Sequence, residues 1–91
     1  MPIKVNVTSV IEKFVGGQRS FESEGKTIDE LIQAIDNRFP GFANQLLEEN
    51  GELRRFVNIY INDEDVRYLG GLSTELEDND EVSILPALAG G

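Results

Sequence analysis

Thr27-Ile28-Asp29-Glu30-Leu31-Ile32-Gln33-Ala34-Ile35-Asp36-Asn37-Arg38-Phe39-Pro40-Gly41 is the stretch on which the fold turns. Thr27 and Glu30 have the spacing of a capping box, in which the hydroxyl accepts from the amide three residues on and the carboxylate reaches back. Asp29 and Glu30 also suit the positive end of a helix dipole. Ile28, Leu31, Ile32, Ile35 and Phe39 recur at helical spacing and form one apolar stripe, the side that faces a core. Pro40-Gly41 stops the element. The spacing predicts one main helix over about 27–39.

On the N-terminal side, Ile3, Val5 and Val7 alternate with Lys4, Asn6 and Thr8, the period of a strand with one face buried. Gly16-Gly17 punctuates the chain, and Gln18 to Phe21 returns as a second strand, so the start reads as a hairpin with a long loop. On the C-terminal side, Phe42, Leu46 and Leu47 suggest a short second helical segment closed by Asn50-Gly51. Phe56 to Ile61 is a strand rich in aromatic and β-branched residues. Asn62 to Asp65 turns the chain, Val66 to Tyr68 is a brief edge strand, and Gly70-Gly71 is another turn. Leu72 and Leu76 pack from a single helical turn, and Asp78-Asn79-Asp80 leads into a last strand, 81–85. Several strands with one helix on one face make an α+β layer. First and last strands side by side at the centre would give a β-grasp. A ferredoxin-like arrangement also mixes these elements, but only one long helix is evident. The expected fold is therefore α+β, a β-grasp with a mixed sheet of four to five strands. Residues 1–86 form the domain, and 87–91 a flexible C-terminal tail.

Composition narrows the chemistry. At 91 residues the chain fits a single domain, large enough for one core without staples. Its apolar runs fall far short of a membrane span, and no secretory start is apparent, which predicts a cytoplasmic protein with no membrane partner. Net charge is −9, from 17 acidic and 8 basic side chains, which argues against a nucleic-acid partner. It favours a partner with a basic docking surface, or simply keeps the domain soluble. With no Cys, the chain holds no persulfide, disulfide or thiol nucleophile, and with no His it lacks the commonest general base and metal ligand. A Cys/His metal site is excluded. These absences point away from an enzyme, toward a binding or carrier module without a bound cofactor or metal.

After the last strand come Pro86-Ala87-Leu88-Ala89-Gly90-Gly91. Glycine lets a backbone approach another closely, and the α-carboxylate of Gly91 is unhindered. The residues read as a carrier whose reactive group is its own C-terminus. The internal pairs Gly16-Gly17 and Gly70-Gly71 have no such carboxylate and read as turns.

Phe56-Val57-Asn58-Ile59-Tyr60-Ile61-Asn62-Asp63-Glu64-Asp65-Val66-Arg67, then Gly70-Gly71-Leu72, then Ile84 to Gly91, resembles the ubiquitin-like sulfur carrier proteins, the group of the CysO, MoaD and ThiS proteins. The likeness is greatest to the CysO-type carriers of cysteine biosynthesis. Over 1–55 it rests on element order and length. The resemblance implies a ubiquitin-like β-grasp and a Gly91 carboxylate that an E1-like adenylating enzyme of the MoeB/ThiF type activates with ATP. A sulfur source then converts the adenylate to a thiocarboxylate. It implies as further partners a cysteine-synthase-like sulfur acceptor and a metalloprotease that releases cysteine. Gly90, Ala89 and Leu88 would thread the partner's channel. The chemistry is consistent: a carboxylate is a poor electrophile, so an outside enzyme must supply a leaving group. The same tail would serve the small subunit of a molybdopterin synthase, or a modifier forming isopeptide bonds, and its sequence does not separate the three.

Strand alternation carries a further expectation. If Val57, Ile59 and Ile61 face the helix, Phe56, Asn58 and Tyr60 face away. Val82 and Ile84 then point inward and Leu85 outward. Phe56, Tyr60 and Leu85 would form an apolar patch near the tail root, a surface for the activating enzyme. Arg54, Arg55 and Arg67 lie nearby and could meet acidic residues of a partner, but they read first as solvated charges. Asp63-Glu64-Asp65 lacks the ligand ladder of a calcium loop and reads as a solvated turn, as do Asp78 and Asp80. Asn6-Val7-Thr8 matches a glycosylation sequon but lies inside a strand. The chain is expected to be a monomer on its own.

Overall fold

A computed structural model describes residues 2–86 of the chain. The tail positions Leu88, Ala89, Gly90 and Gly91, and the expected tail 87–91 as a whole, lie outside the described residues. Five strands form one mixed sheet: β1 (Ile3–Val7), β2 (Ser20–Ser23), β3 (Val57–Ile61), β4 (Glu64–Asp65) and β5 (Glu81–Pro86). Their spatial order is β2-β1-β5-β3-β4. β1 and β5 run parallel at the centre, with Val5 opposite Val82 and Val7 opposite Ile84. The other pairs are antiparallel. This is the β-grasp order expected from the sequence.

The main helix, α2, spans Ile28–Arg38 and follows α1 (Ser9–Glu12); α3 (Phe42–Leu46) comes after it. Ile28, Leu31, Ile32 and Ile35 of α2 are fully buried against Val5, Ile59, Val82 and Ile84 of the sheet. Thr27 caps the helix: its Oγ1 accepts from the Glu30 amide at 3.2 Å. Glu30 accepts from the Lys26 amide at 3.1 Å, one residue further back than in a capping box. Thr27→Ala is expected to cost about 0.5–2 kcal/mol in urea unfolding, with the native sheet retained. The Thr74 carbonyl accepts from Ile28, and the Lys26 carbonyl from Leu76, so the 70s loop docks on the start of α2.

Phe39 lies just past the helix and is half-buried. Its ring meets Phe21 edge-on at 6.2 Å, and the Arg38 guanidinium covers both rings.

Three segments differ from the sequence reading. The first loop holds α1 and a 3-10 turn, Lys13–Val15, which bury Ile11 and Val15. β2 begins at Ser20 rather than Gln18, because the Gln18 amide is turned back to the Val15 carbonyl. Val66–Tyr68 is a 3-10 turn, not an edge strand. Asn62 and Asp63 take positive φ, 48° and 75°, so the chain reverses in two residues and β4 pairs at once. The Asp65 side chain then accepts from the Arg67 amide at 2.8 Å, capping the 3-10 turn and ending the strand. Among the described residues no helix is long and apolar enough to cross a membrane.

Candidate functional site

The candidate site is the end of the sheet toward which β5 runs, together with the sheet face turned away from α2. Antiparallel register sets that face: Asn58 stands opposite Leu85, and Tyr60 opposite Ser83. Their neighbours Val57, Ile59, Ile61, Val82 and Ile84 are buried on the other side. Tyr60 and Leu85 are thus diagonal neighbours on adjacent strands, at about 7–8 Å by the usual spacing. Both are half-buried. Phe56 precedes β3 rather than belonging to it, and is well exposed. Asn58 separates it from Tyr60 along the chain.

Asn58 is not alone. The Arg67 guanidinium donates to its Oδ1 at 3.1 Å, to the Val57 carbonyl at 2.8 Å and to the Arg54 carbonyl at 3.0 Å. The expected apolar patch is therefore interrupted by a polar clamp. Sequence reading took Arg67 as a solvated charge; in the fold it stands in for the backbone partner that β3 lacks once β4 has ended. It also missed the exposure of Tyr68, which closes the 3-10 turn, and of Leu69 just after it. The run Tyr68-Leu69-Gly70-Gly71 was the available signal, large apolar residues set directly against a turn.

Elsewhere on the outer face, Glu81 accepts from the Asn6 side chain and lies 3.9 Å from Lys4 Nζ, a pair exposed enough to add little stability. Asn62 and Asp80 tie the β3–β4 turn to the start of β5, Nδ2 to Oδ1 at 2.8 Å. Asp80 also accepts from the Glu77 amide, so these acidic residues serve turns. No group of three or more acidic residues among the described ones could hold a metal ion.

Comparison with known proteins follows the same outline. The sequence profile of the ThiS family matches residues 5–91. The chain is 42% identical over 93 aligned positions to the sulfur carrier protein CysO of Mycobacterium tuberculosis, covering 100% of both chains. It is 34% identical over 80 positions to small archaeal modifier protein 3 of Haloferax volcanii, covering 85% of this chain and 86% of the relative. The fold matches a chain in the crystal structure of the Amycolatopsis orientalis BexX/CysO complex with a TM-score of 0.90 at 42% identity, covering 98% and 99% of the two chains.

Proposed function

Since the chain belongs to the ThiS family, we propose that it is a sulfur carrier protein whose Gly91 carboxylate is adenylated by an E1-like enzyme and converted to a thiocarboxylate. It is a carrier acted on by enzymes rather than an enzyme, as its relatives are named. The observation that carries this reading is that the family match runs through residues 90 and 91, within a full-length similarity to a named sulfur carrier. ATP is the partner enzyme's substrate. The carboxylate oxygen attacks the α-phosphorus of ATP and releases pyrophosphate. A sulfur nucleophile then displaces AMP from the carbonyl carbon. The carrier contributes address and reach, and the partner contributes catalysis, a division that suits a chain without His or Cys. The sulfur is destined for cysteine or a related metabolite, through a cysteine-synthase-like acceptor and a metalloprotease. A complex containing a CysO protein agrees with a carrier that docks on other proteins.

Intact mass of the protein purified from its own host tests this. A gain of one sulfur-for-oxygen exchange is expected. A ladder of larger conjugates would instead favour a modifier, the second reading, which the likeness to an archaeal modifier keeps in view. A single stable large subunit in the same preparation would point to a molybdopterin-synthase-like role.

Leu88, Ala89 and Gly90 are proposed to thread the enzyme's channel, and Phe56, Tyr60 and Leu85 to dock against it. Tyr60→Ala is expected to slow adenylation by roughly 5- to 30-fold, the size of an interface anchor. The melting curve should change little, because Tyr60 lies on the outer face. Unaltered adenylation kinetics would count against the role of Tyr60.

A further inference from the structure

The two edges of the sheet are finished differently. On one side β4 has two residues, and the Asp65 and Arg67 side chains close the ladder beside it. On the other side β2 offers four residues and pairs with β1 alone. Antiparallel pairing turns the N–H and C=O groups of alternate residues away from the partner strand. The Val7 amide donates to the Arg19 carbonyl, and the Lys4 amide turns the other way, to the Asp80 carbonyl beside β5. Lys4 stands opposite Glu22 and Asn6 opposite Ser20, so the backbone groups of Ser20 and Glu22 point outward from the sheet. One of them is covered: the Arg38 guanidinium donates to the Glu22 carbonyl at 2.7 Å while lying over the Phe21 and Phe39 rings. The two amides and the Ser20 carbonyl have no hydrogen-bond partner among the described residues.

We propose that the β2 edge takes an extended, basic segment of a partner protein as an additional strand, with Arg38 as a cover that leaves the Glu22 carbonyl when the segment pairs. A row of unpaired backbone groups is a template for another chain, and main-chain hydrogen bonds then supply much of the affinity. Two clefts beside the edge give such a segment room for its side chains. One, of about 390 Å³, lies between the edge and α2, against Pro2, Ser23, Ala34 and Arg38. The other, of about 660 Å³, runs on to the start of α2 over Ile3, Ala34 and Leu76. Glu24 and Ala34 border both, so the two form one groove.

Charge decides the occupant. Glu24, Asp29, Glu30, Glu77 and Asp78 border the larger cleft, with Lys26 as the one cation among its described lining. Glu22 stands exposed on the edge itself. A second copy of this chain is the wrong partner. Pairing two β2 edges would set the Glu22 and Glu24 of one copy against the same acidic strand of the other, each body carrying a net charge of −9. Like charges across a strand pair oppose association, so these acids reject the copy and select a cationic segment. The larger cleft also lies away from the reacting end. It borders Ile3 and Asp78, where the central strands begin, whereas Pro86 closes β5. The six residues of β5 span about 16–17 Å between those ends. The inference therefore goes beyond the carrier chemistry and does not depend on it.

The test uses the isotope-labelled full chain and, as the basic segment, a blocked heptapeptide of alternating valine and lysine. Exchange of the Ser20 and Glu22 amides is expected to slow by about 10-fold or more on saturation, with a Kd at or below about 1 mM. Glu22→Lys changes one exposed side chain, so the melting curve should hold. It should weaken the lysine peptide by roughly 3- to 30-fold and tighten a peptide of alternating valine and glutamate. Arg38→Met keeps an apolar stem over the rings and uncovers the Glu22 carbonyl. It should tighten binding by roughly 2- to 10-fold, and the gain should persist in high salt, where charge alone is screened. Methylating one set of alternate peptide amides should abolish binding, and methylating the other set should not, because only one edge of the added strand pairs. Equal binding of the two methylated peptides, or no slowing of either amide at about 1 mM lysine peptide, overturns the added strand. Slowing that rises with the concentration of the chain alone assigns the edge to a second copy and overturns the basic partner. A Glu22→Lys variant that binds both peptides as the wild type does also overturns the basic partner. An Arg38→Met variant that binds no more tightly overturns the cover. None of these readouts involves Gly91, so failure of the sulfur-carrier reading leaves them standing.

Discussion

A variant lacking Gly91 is expected to lose adenylation and sulfur loading by about 10²-fold or more in kcat/KM, with an unchanged melting curve. Removing one residue draws the terminal carboxylate back by roughly 3.3–3.6 Å. A displacement of about 1 Å at a reacting centre can already lower a rate by about 10²-fold. Among the described residues the buried side chains lie between residues 3 and 84, so the deletion removes none of them. Pyrophosphate exchange and intact mass after incubation with a sulfur source read the two steps separately. If the chain ending at Gly90 takes up AMP and sulfur at the normal rate, the reactive group is not where it is proposed to be.

Phe42→Ala should have the largest effect on the body of the protein. Phe42 is fully buried, the bulkiest side chain that is so. It opens α3, whose start is fixed by Asp36: one carboxylate oxygen accepts from the Gly41 amide at 3.2 Å and the Ala43 amide at 2.9 Å. With its backbone held on both sides, the site has little freedom to collapse around a smaller side chain. Truncation is expected to cost about 3–5 kcal/mol. Domains of this kind have about 5–15 kcal/mol in total. The midpoint of thermal unfolding should fall by roughly 12–40 °C, given about 4–8 °C per kcal/mol at this length. Urea unfolding at constant slope checks the free energy. A loss below about 1 kcal/mol would mean that neighbours refill the space, contrary to close packing.

Legibility followed how local each signal was. α2 was readable almost residue by residue, because its cap, stripe and stop lie within fifteen consecutive positions. The grasp order was readable too, since one long helix among alternating strands leaves few arrangements. The faces of β3 and β5 followed from a two-residue period, and with them the diagonal placement of Tyr60 and Leu85.

Val66 to Tyr68 failed for the same reason that those strands succeeded. A two-residue period puts Val66 and Tyr68 on one face, whereas the turn near three residues per repeat buries Val66 and sends Tyr68 outward. What ended the strand was the Asp65 side chain bonding the backbone two residues on, a choice the run of acidic residues hid. Arg67 was illegible for another reason. Its acceptors at 54, 57 and 58 lie close by in the chain, but they become its neighbours only after β3 and β4 have paired, and no helical or strand period announces the clamp. The chemistry assigned to Gly91 was readable as a chemical group.

The parallel union of β1 and β5 has a consequence for how such molecules come into being. Lys4 meets Glu81 and Val7 meets Ile84, so the middle of the sheet joins the two ends of the described chain. During synthesis, at about 5–20 residues per second, β1 waits without its central neighbour until residues 81–86 have been made. Ribosomes that stall early would release only unfinished material, with its edges bare to proteases. A completed body then certifies a message read at least to the end of β5.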